Sequence, residues 1–381
     1  MARDEPLIFL TAGEPSGDAI GARLMAALKT RTGGAVRFAG VGGQMMRAEG
    51  LESLFPMQEL SVMGLLEVLP HARRLKRRIA ETAAAVDRLR PDALVTIDSP
   101  GFSKRLEDRL GPGELPKIHY VAPTVWAWKP KRVHAFKARF DRLLCLLPFE
   151  PPYFEAVGLD APFVGHPVLE SGADAGDGAA FRARRAMAAE APLLCVLPGS
   201  RRGEARRLLP VFGETVARLA AERPDLQVAI PSVDYLADEI AAATAGWAAP
   251  TTVLTGPAEK YDAMAASNAA LAASGTVALE LALARVPTVV AYRLNPITYW
   301  AINRMVSVDY VHLCNIMAER EIAPERLQDR CRPDVLAADV RRLMGAEGAA
   351  QAADLAPWLE RLRPPQGLPS LAAADAVLEL L

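Results

Sequence analysis

Along the chain, short runs that are apolar at every position alternate with longer stretches whose apolar residues recur at helical spacing. PLIFLTAG is followed by GDAIGARLMAALKTR, and ALVTIDSPG by FSKRLEDRL and then PKIHYVAP. Runs that are apolar throughout, instead of alternating, are what a parallel sheet covered by helices on both faces requires. After GHPVLE, which ends at Glu170, the segment SGADAGDGAA loses apolar periodicity and reads as a linker or exposed loop. The alternation then restarts with APLLCVLPGSRRGE, DLQVAIPS, TTVLTG, NAALAASGT and VPTVVAY. The pattern predicts an α/β protein of two Rossmann-like lobes, residues 1–170 and 171–355. A tail, 356–381, of short helical pieces interrupted by Pro364 and Pro365 is expected to pack back on the first lobe.

Composition narrows this picture. At 381 residues the chain has room for two cores, and 51% hydrophobic with 23% charged residues fits a soluble globular protein. A net charge of -1 supplies no global field toward nucleic acid. Of the 44 basic residues only eight are Lys, so no single Arg carries much weight. Cys145, Cys195, Cys314 and Cys331 have neither C-x-x-C spacing nor scaffold density, which suits a reducing cytoplasm. The first residues do not read as a signal peptide, and no run approaches the roughly 18 apolar residues of a membrane span. Any membrane contact is therefore expected at the surface.

Two turns of the second lobe suit phosphate. SGTVALELALA follows the strand-like NAALAA and opens a helix, so its free N–H groups and partial positive charge point one way. Ser274, Gly275 and Thr276 form that turn; Glu280, one helical turn beyond Thr276, is placed to accept hydrogen bonds from ribose hydroxyls. The plainer alternative has Ser274 and Thr276 capping the helix and Glu280 solvated. In LPGSRRGE, Gly199 and Ser200 precede Arg201 and Arg202, of which at least one guanidinium can meet a diphosphate and stabilise a departing nucleotide. Its alternative is a solvated Arg face.

In the first lobe, GEPSGDAIGARL sets Gly13, Glu14, Ser16, Gly17 and Asp18 after the first strand. Its glycine spacing is not the G-x-G-x-x-G fingerprint, which argues against a nicotinamide enzyme. Asp98 stands at the end of a strand, where open α/β sheets place their ligand crevice, and can take a proton from an acceptor hydroxyl; its alternative is a helix cap. HYVAPTVWAWKPKRV and FVGHPV are unusual for a plain core. In LSVMGLLEVLPHARRLKRRIAE, Val62, Met63, Leu65, Leu66, Val68 and Leu69 lie beside Arg73, Arg74, Lys76, Arg77 and Arg78, a pattern suited to anionic lipid or to an ordinary amphipathic helix with a wet Arg face. No Asp-x-Asp pair, H-E-x-x-H or His/Cys cluster occurs, so no protein-built metal site is expected.

Taken in order, GEPSGD, GVGG with SVMGLLEVLP, IDSPGF, HYVAPTVWAW, LPFEPPYF, GHPV, LPGSRRGE, SGTVALELAL and NIMAEREIAPERLQ make the chain resemble the lipid-A-disaccharide synthase family. The resemblance implies a GT-B fold, with two Rossmann-like lobes facing each other across a cleft. It also implies inverting, metal-independent transfer of 2,3-diacylglucosamine from UDP-2,3-diacylglucosamine to the 6-hydroxyl of 2,3-diacylglucosamine 1-phosphate. The product would be the β-1',6-linked disaccharide 1-phosphate and UDP, with no cofactor. Asp98 matches the family's proposed base. Gly199, Ser200 and Arg201 match the diphosphate loop, Ser274, Gly275, Thr276 and Glu280 the UDP cradle, and Asn315 and Gln328 polar residues beside it. Glu14 and Asp18 match the first-lobe loop, and the stretch from Leu65 to Arg78 the membrane-facing, acyl-binding side. The resemblance further implies peripheral association with the cytoplasmic face of the inner membrane, and a family habit of exchanging C-terminal parts in a homodimer. Cys314 before Asn315 and the shortened tail have no reading from the family pattern. Another UDP-sugar enzyme of this fold, MurG-like or an epimerase, would show a similar cradle but needs no acyl surface. A non-catalytic nucleotide-binding scaffold would not need Asp98.

Overall fold

The computed structural model describes residues 5–60, 65–188, 190–295, 299, 305–306 and 308–381, with side chains except those of 65–72. The chain divides into two compact units, Met1–Pro167 with Leu362–Leu381, and Val168–Arg361.

The first unit is built on five parallel strands: β1 (Leu7–Ala12), β2 (Arg37–Val41), β3 (Ala93–Ile97), β4 (Lys117–Tyr120) and β5 (Arg142–Leu144). β1, β3 and β4 are buried at every position; β1 and β3 are almost wholly apolar, as a doubly covered sheet demands, while β4, KIHY, buries Lys117 and His119 as well. Their order is β2-β1-β3-β4-β5. From β1 the chain crosses to one side and from β3 to the other, so the crevice of this sheet opens at the carboxyl ends of β1 and β3.

The second unit carries β6 (Leu193–Leu197), β7 (Gln227–Pro231), β8 (Thr251–Leu254), β9 (Ala269–Ala273), β10 (Thr288–Tyr292) and β11 (Glu325–Leu327). All are parallel, in the order β8-β7-β6-β9-β10-β11, the 3-2-1-4-5-6 arrangement of doubly wound nucleotide-binding sheets. The reversal falls between β6 and β9. β9 is AALAA, small enough for the flanking helices to approach closely, and is buried throughout.

Two sequence expectations change. SGADAGDGAA is ordered: a short 3-10 turn, Ala173–Ala175, leads into the helix Gly178–Arg184. A Cβ on Gly176 would lie 2.2 Å from the Tyr261 carbonyl oxygen, and one on Gly178 2.6 Å from the Ala265 backbone. These glycines lack side chains so that the segment can pack on the helix Pro257–Ala266. Likewise Pro357 does not begin a tail but lies inside the helix Ala346–Glu360, which belongs to the second unit. The chain returns to the first unit at Leu362, where the helix Pro369–Leu378 packs on Pro15–Arg31 and buries Ala373, Ala374 and Val377. Gly165 (φ 83) and His166 make this return: a Cβ on Gly165 would meet Pro364 at 2.5 Å, and the His166 N–H donates to the Leu362 carbonyl at 2.9 Å. GHPV thus has a packing explanation.

Val62 and Met63 lie outside the described residues. Leu65, Leu66, Val68 and Leu69 fall in the helix Leu65–Leu89, in the part whose side chains are not described. Further along, Arg78 is bound by Glu59 (2.7 Å) and Glu81 (2.6 Å) and lies 4.5 Å over Phe55, so its charge is spent internally. Arg73, Lys76 and Arg77 remain exposed.

Candidate active site

In the second unit both phosphate-suited turns fall at the reversal point, one after β6 and one after β9. Gly199 takes φ 103, and a Cβ there would lie 2.8 Å from a Glu204 carboxylate oxygen, so glycine lets the turn close over that side chain. The Ser200 carbonyl accepts from the Tyr235 hydroxyl. Arg201 occupies the capping position of the helix Arg202–Glu222. Its guanidinium is 60% exposed and lies 3.3 Å from Glu204. Glu204 also accepts from the Tyr292 hydroxyl at 2.8 Å, and burial followed by this carboxylate pushes the phenol up to about 12. Tyr292 therefore stays a donor, and Glu204 aims Arg201 without burying its charge. Arg202 is paired with Glu239 at 2.8 Å.

After β9, Gly275 adopts φ 151 with ψ -169, a conformation open in practice only to glycine, and holds the capping position of the helix Thr276–Leu283. With no side chain to cap this end, its N–H groups and partial charge are left for a ligand. Glu280 is not solvated: it is 14% exposed and accepts from Lys260 Nζ and, at 3.1 Å, from the Tyr261 hydroxyl. Lys260 and Tyr261 were not singled out in the sequence; their signal is their position in GPAEKY just beyond β8.

Gln328, with φ 48, lines a cavity of about 710 Å³ beside the ends of β10 and β11, together with Arg207, Arg293, Asn295, Asp329 and Arg332. Asn315 does not reach a ligand. It is fully buried, donates to the Ala323 carbonyl and Glu325 (both 2.8 Å), and accepts from the Ile322 and Ala323 N–H groups. With all its hydrogen bonds made inside the protein, it braces the loop instead of binding nucleotide. His312 Nδ1 accepts from the Cys314 N–H at 3.1 Å, so Cys314 belongs to the same brace.

In the first unit, the loops after β1 and β3 meet. A Cβ on Gly13 would lie 2.4 Å from Ser99 Oγ. Asp98 and Ser99 are consecutive left-handed residues, φ 51 and 47, a strained arrangement for non-glycine residues. The strain is held by the Asp98 N–H donating to the Tyr120 carbonyl (2.9 Å) and by Ser103 Oγ donating to the Asp98 carbonyl (3.0 Å). The capping position of the next helix, Pro100–Leu110, belongs to Ser99, so Asp98 is not its cap. Asp98 is half-buried at the crevice end of the sheet.

Glu14 caps the helix Pro15–Arg31 with its backbone only, and Ser16 is exposed in the first turn. Gly17 is buried, and a Cβ on it would sit 3.4 Å from Ala12. Asp18 faces inward instead: its carboxylate is 5% exposed and accepts from the N–H groups of Gly43 (2.7 Å), Met45 (3.0 Å) and Met46 (3.1 Å). It fastens the end of GVGG to the helix Pro15–Arg31.

Two doubly wound units, each with a reversal-point crevice, are the architecture of the GT-B fold. Among solved structures, the glycosyltransferase of kitacinnamycin aligns with TM-score 0.65 at 18% identity, covering 100% of both chains. The S. aureus MnaA-UDP co-structure aligns with TM-score 0.63 at 11% identity, covering 99% of this chain and 98% of that one. These likenesses establish the fold.

The sequence model of the lipid-A-disaccharide synthetase family matches residues 8–355. The lipid-A-disaccharide synthase of Rhodospirillum centenum is 54% identical, covering 98% of this chain and 94% of the relative. That of Paramagnetospirillum magneticum is 53% identical, covering 98% and 97%. The chain belongs to this family and is a glycosyltransferase.

Proposed function

We propose that the protein transfers 2,3-diacylglucosamine from its UDP carrier to the 6-hydroxyl of 2,3-diacylglucosamine 1-phosphate, with inversion at the anomeric carbon. The observation that carries this reading is the pair of turns at the second unit's reversal point, with Arg201 exposed and Gly275 leaving a helix N-terminus uncapped. Such turns suit a diphosphate, and Glu280, held by Lys260 and Tyr261, suits ribose hydroxyls. Asp98 removes the proton of the acceptor 6-hydroxyl as its oxygen bonds to the donor's anomeric carbon. The bond from that carbon to the diphosphate breaks, and UDP leaves with the electron pair. Its growing charge falls to Arg201 and the N–H groups after Gly275, so the proposed reaction needs no divalent metal.

The lipid substrates support a membrane-surface role on the cytoplasmic face, and the exposed Arg73, Lys76 and Arg77 are suited to anionic headgroups. Among the described residues no helix is long and apolar enough to cross a membrane.

The test is product formation by purified protein from the two lipids in detergent micelles with EDTA. Equal amounts of β-linked disaccharide 1-phosphate and UDP support the reading. Folded, UDP-binding protein that makes neither rejects the acceptor assignment.

A further inference from the structure

The segment after β4 holds an unusual group. Lys129 Nζ lies 4.5 Å over the ring of Trp128, and Arg132 Cζ lies 5.7 Å from the same ring. Trp128 is fixed by its Nε1 donating to Thr124 Oγ1 at 3.2 Å. Lys129 is held at φ 52, a left-handed conformation that costs free energy in a non-glycine residue and recurs at ligand-binding positions. Lys131, between them in the sequence, is exposed.

Among the described residues no carboxylate pairs with Lys129, Lys131 or Arg132, although the nearby Arg139 is paired with Asp108 at 2.6 Å. The indole face offsets part of the charge on Lys129 and Arg132. Burial lowers the pKa of the Arg132 guanidinium, with no neighbouring carboxylate to oppose it. An anion seated beside this ring would gain charge-assisted hydrogen bonds from cations that no carboxylate neutralises.

The location selects which anion. The Asp98 N–H donates to the carbonyl of Tyr120, the last residue of β4, so Asp98 and this segment rise from the carboxyl ends of neighbouring strands in one unit. The acceptor in the proposed reaction bears its reacting hydroxyl on C6 and a phosphate on C1, and C5, which carries C6, and C1 are the two carbons that flank the ring oxygen, so a phosphate subsite belongs close beside Asp98. We propose that Trp128, Lys129, Lys131 and Arg132 form the subsite that grips this anomeric phosphate while the 6-hydroxyl is presented to Asp98. This rests on the acceptor assigned under Proposed function.

The experiment is equilibrium binding of the acceptor 1-phosphate and of its dephosphorylated counterpart to the full-length protein in micelles. It needs no turnover, so failure of the transfer assay and failure of this inference are separable. The wild type should prefer the phosphorylated lipid by about 10-fold or more, a difference one charge-assisted contact supplies. Lys129→Gln with Arg132→Gln should bring that preference to within about 2-fold, with UDP affinity unchanged. Lys131→Arg should keep it. Should the double variant fail to fold, Lys131→Gln at the exposed position decides, and should lower the preference. A wild type without the preference, or folded variants that retain it, overturns the proposal. So does retained preference with loss of co-sedimentation on phosphatidylglycerol vesicles, which would make the group a contact for bulk lipid.

Discussion

Glu204 lies 2.8 Å from the Tyr292 hydroxyl and 3.3 Å from the Arg201 guanidinium. Arg201→Ala should lower transfer by about 100-fold or more, as removal of one transition-state donor does, with unchanged thermal stability. Steady-state rates within a few-fold of wild type would remove Arg201 from the mechanism. Asn315 carries a different expectation. Replacing it by Ala leaves the Ile322 and Ala323 N–H groups without their acceptor, at a cost of about 2 to 4 kcal/mol in urea denaturation. Unchanged stability would contradict its bracing role. Asp98, Arg201, Glu280 and the glycines were legible because strand-turn-helix patterning places them at strand ends. Asn315 and Asp18 were not legible as supports: a polar residue in a loop reads the same whether it faces a ligand or a backbone N–H group. Lys260 and Tyr261 carry only the weak signal of their place beyond a strand, because their partner, Glu280, is brought to them by the fold.

At the scale of elements, the apolar runs marked their strands because a doubly covered parallel sheet leaves no face for polar residues. The segment after Glu170 was misread, since glycines that permit close packing look like those of a flexible linker. Gly176→Ala should therefore destabilise the second unit by about 1 to 3 kcal/mol, the usual cost of overpacking, read as a lower melting temperature. A neutral result would mean the contact relaxes freely. The helix Pro100–Leu110 offers a pH test. Burial pushes its Glu107 up to about 7, even with Lys117 at 3.3 Å. A raised folded-state value gives stability that is full below the unfolded value of 4.5 and is lost as pH rises through about 7. Relative to Glu107→Gln, the wild type should lose on the order of 2 kcal/mol between pH 5 and 7, measured by chemical denaturation at each pH. Parallel profiles would show that Glu107 is already ionised throughout.

At the scale of the molecule, the two sheets were legible in chain order but the strand order was not, because crossovers and not local patterns decide which strands become neighbours. Nor did the sequence show where the last helix begins to serve the first unit, since Pro357 sits within a helix and the change comes at Leu362. A chain ending at Arg361 should lose the thermal transition of the first unit and keep that of the second, because Ala373, Ala374 and Val377 are part of the first core. A calorimetric profile with both transitions intact would contradict this. The central claim, sugar transfer to a hydroxyl deprotonated by Asp98, is tested most directly by comparing turnover of wild type and Asp98→Asn on the two lipids, with UDP binding measured alongside. The account predicts coupled disaccharide and UDP from the wild type, and a loss of about 100-fold or more in the variant at unchanged UDP affinity. Equal turnover by the two proteins would contradict it.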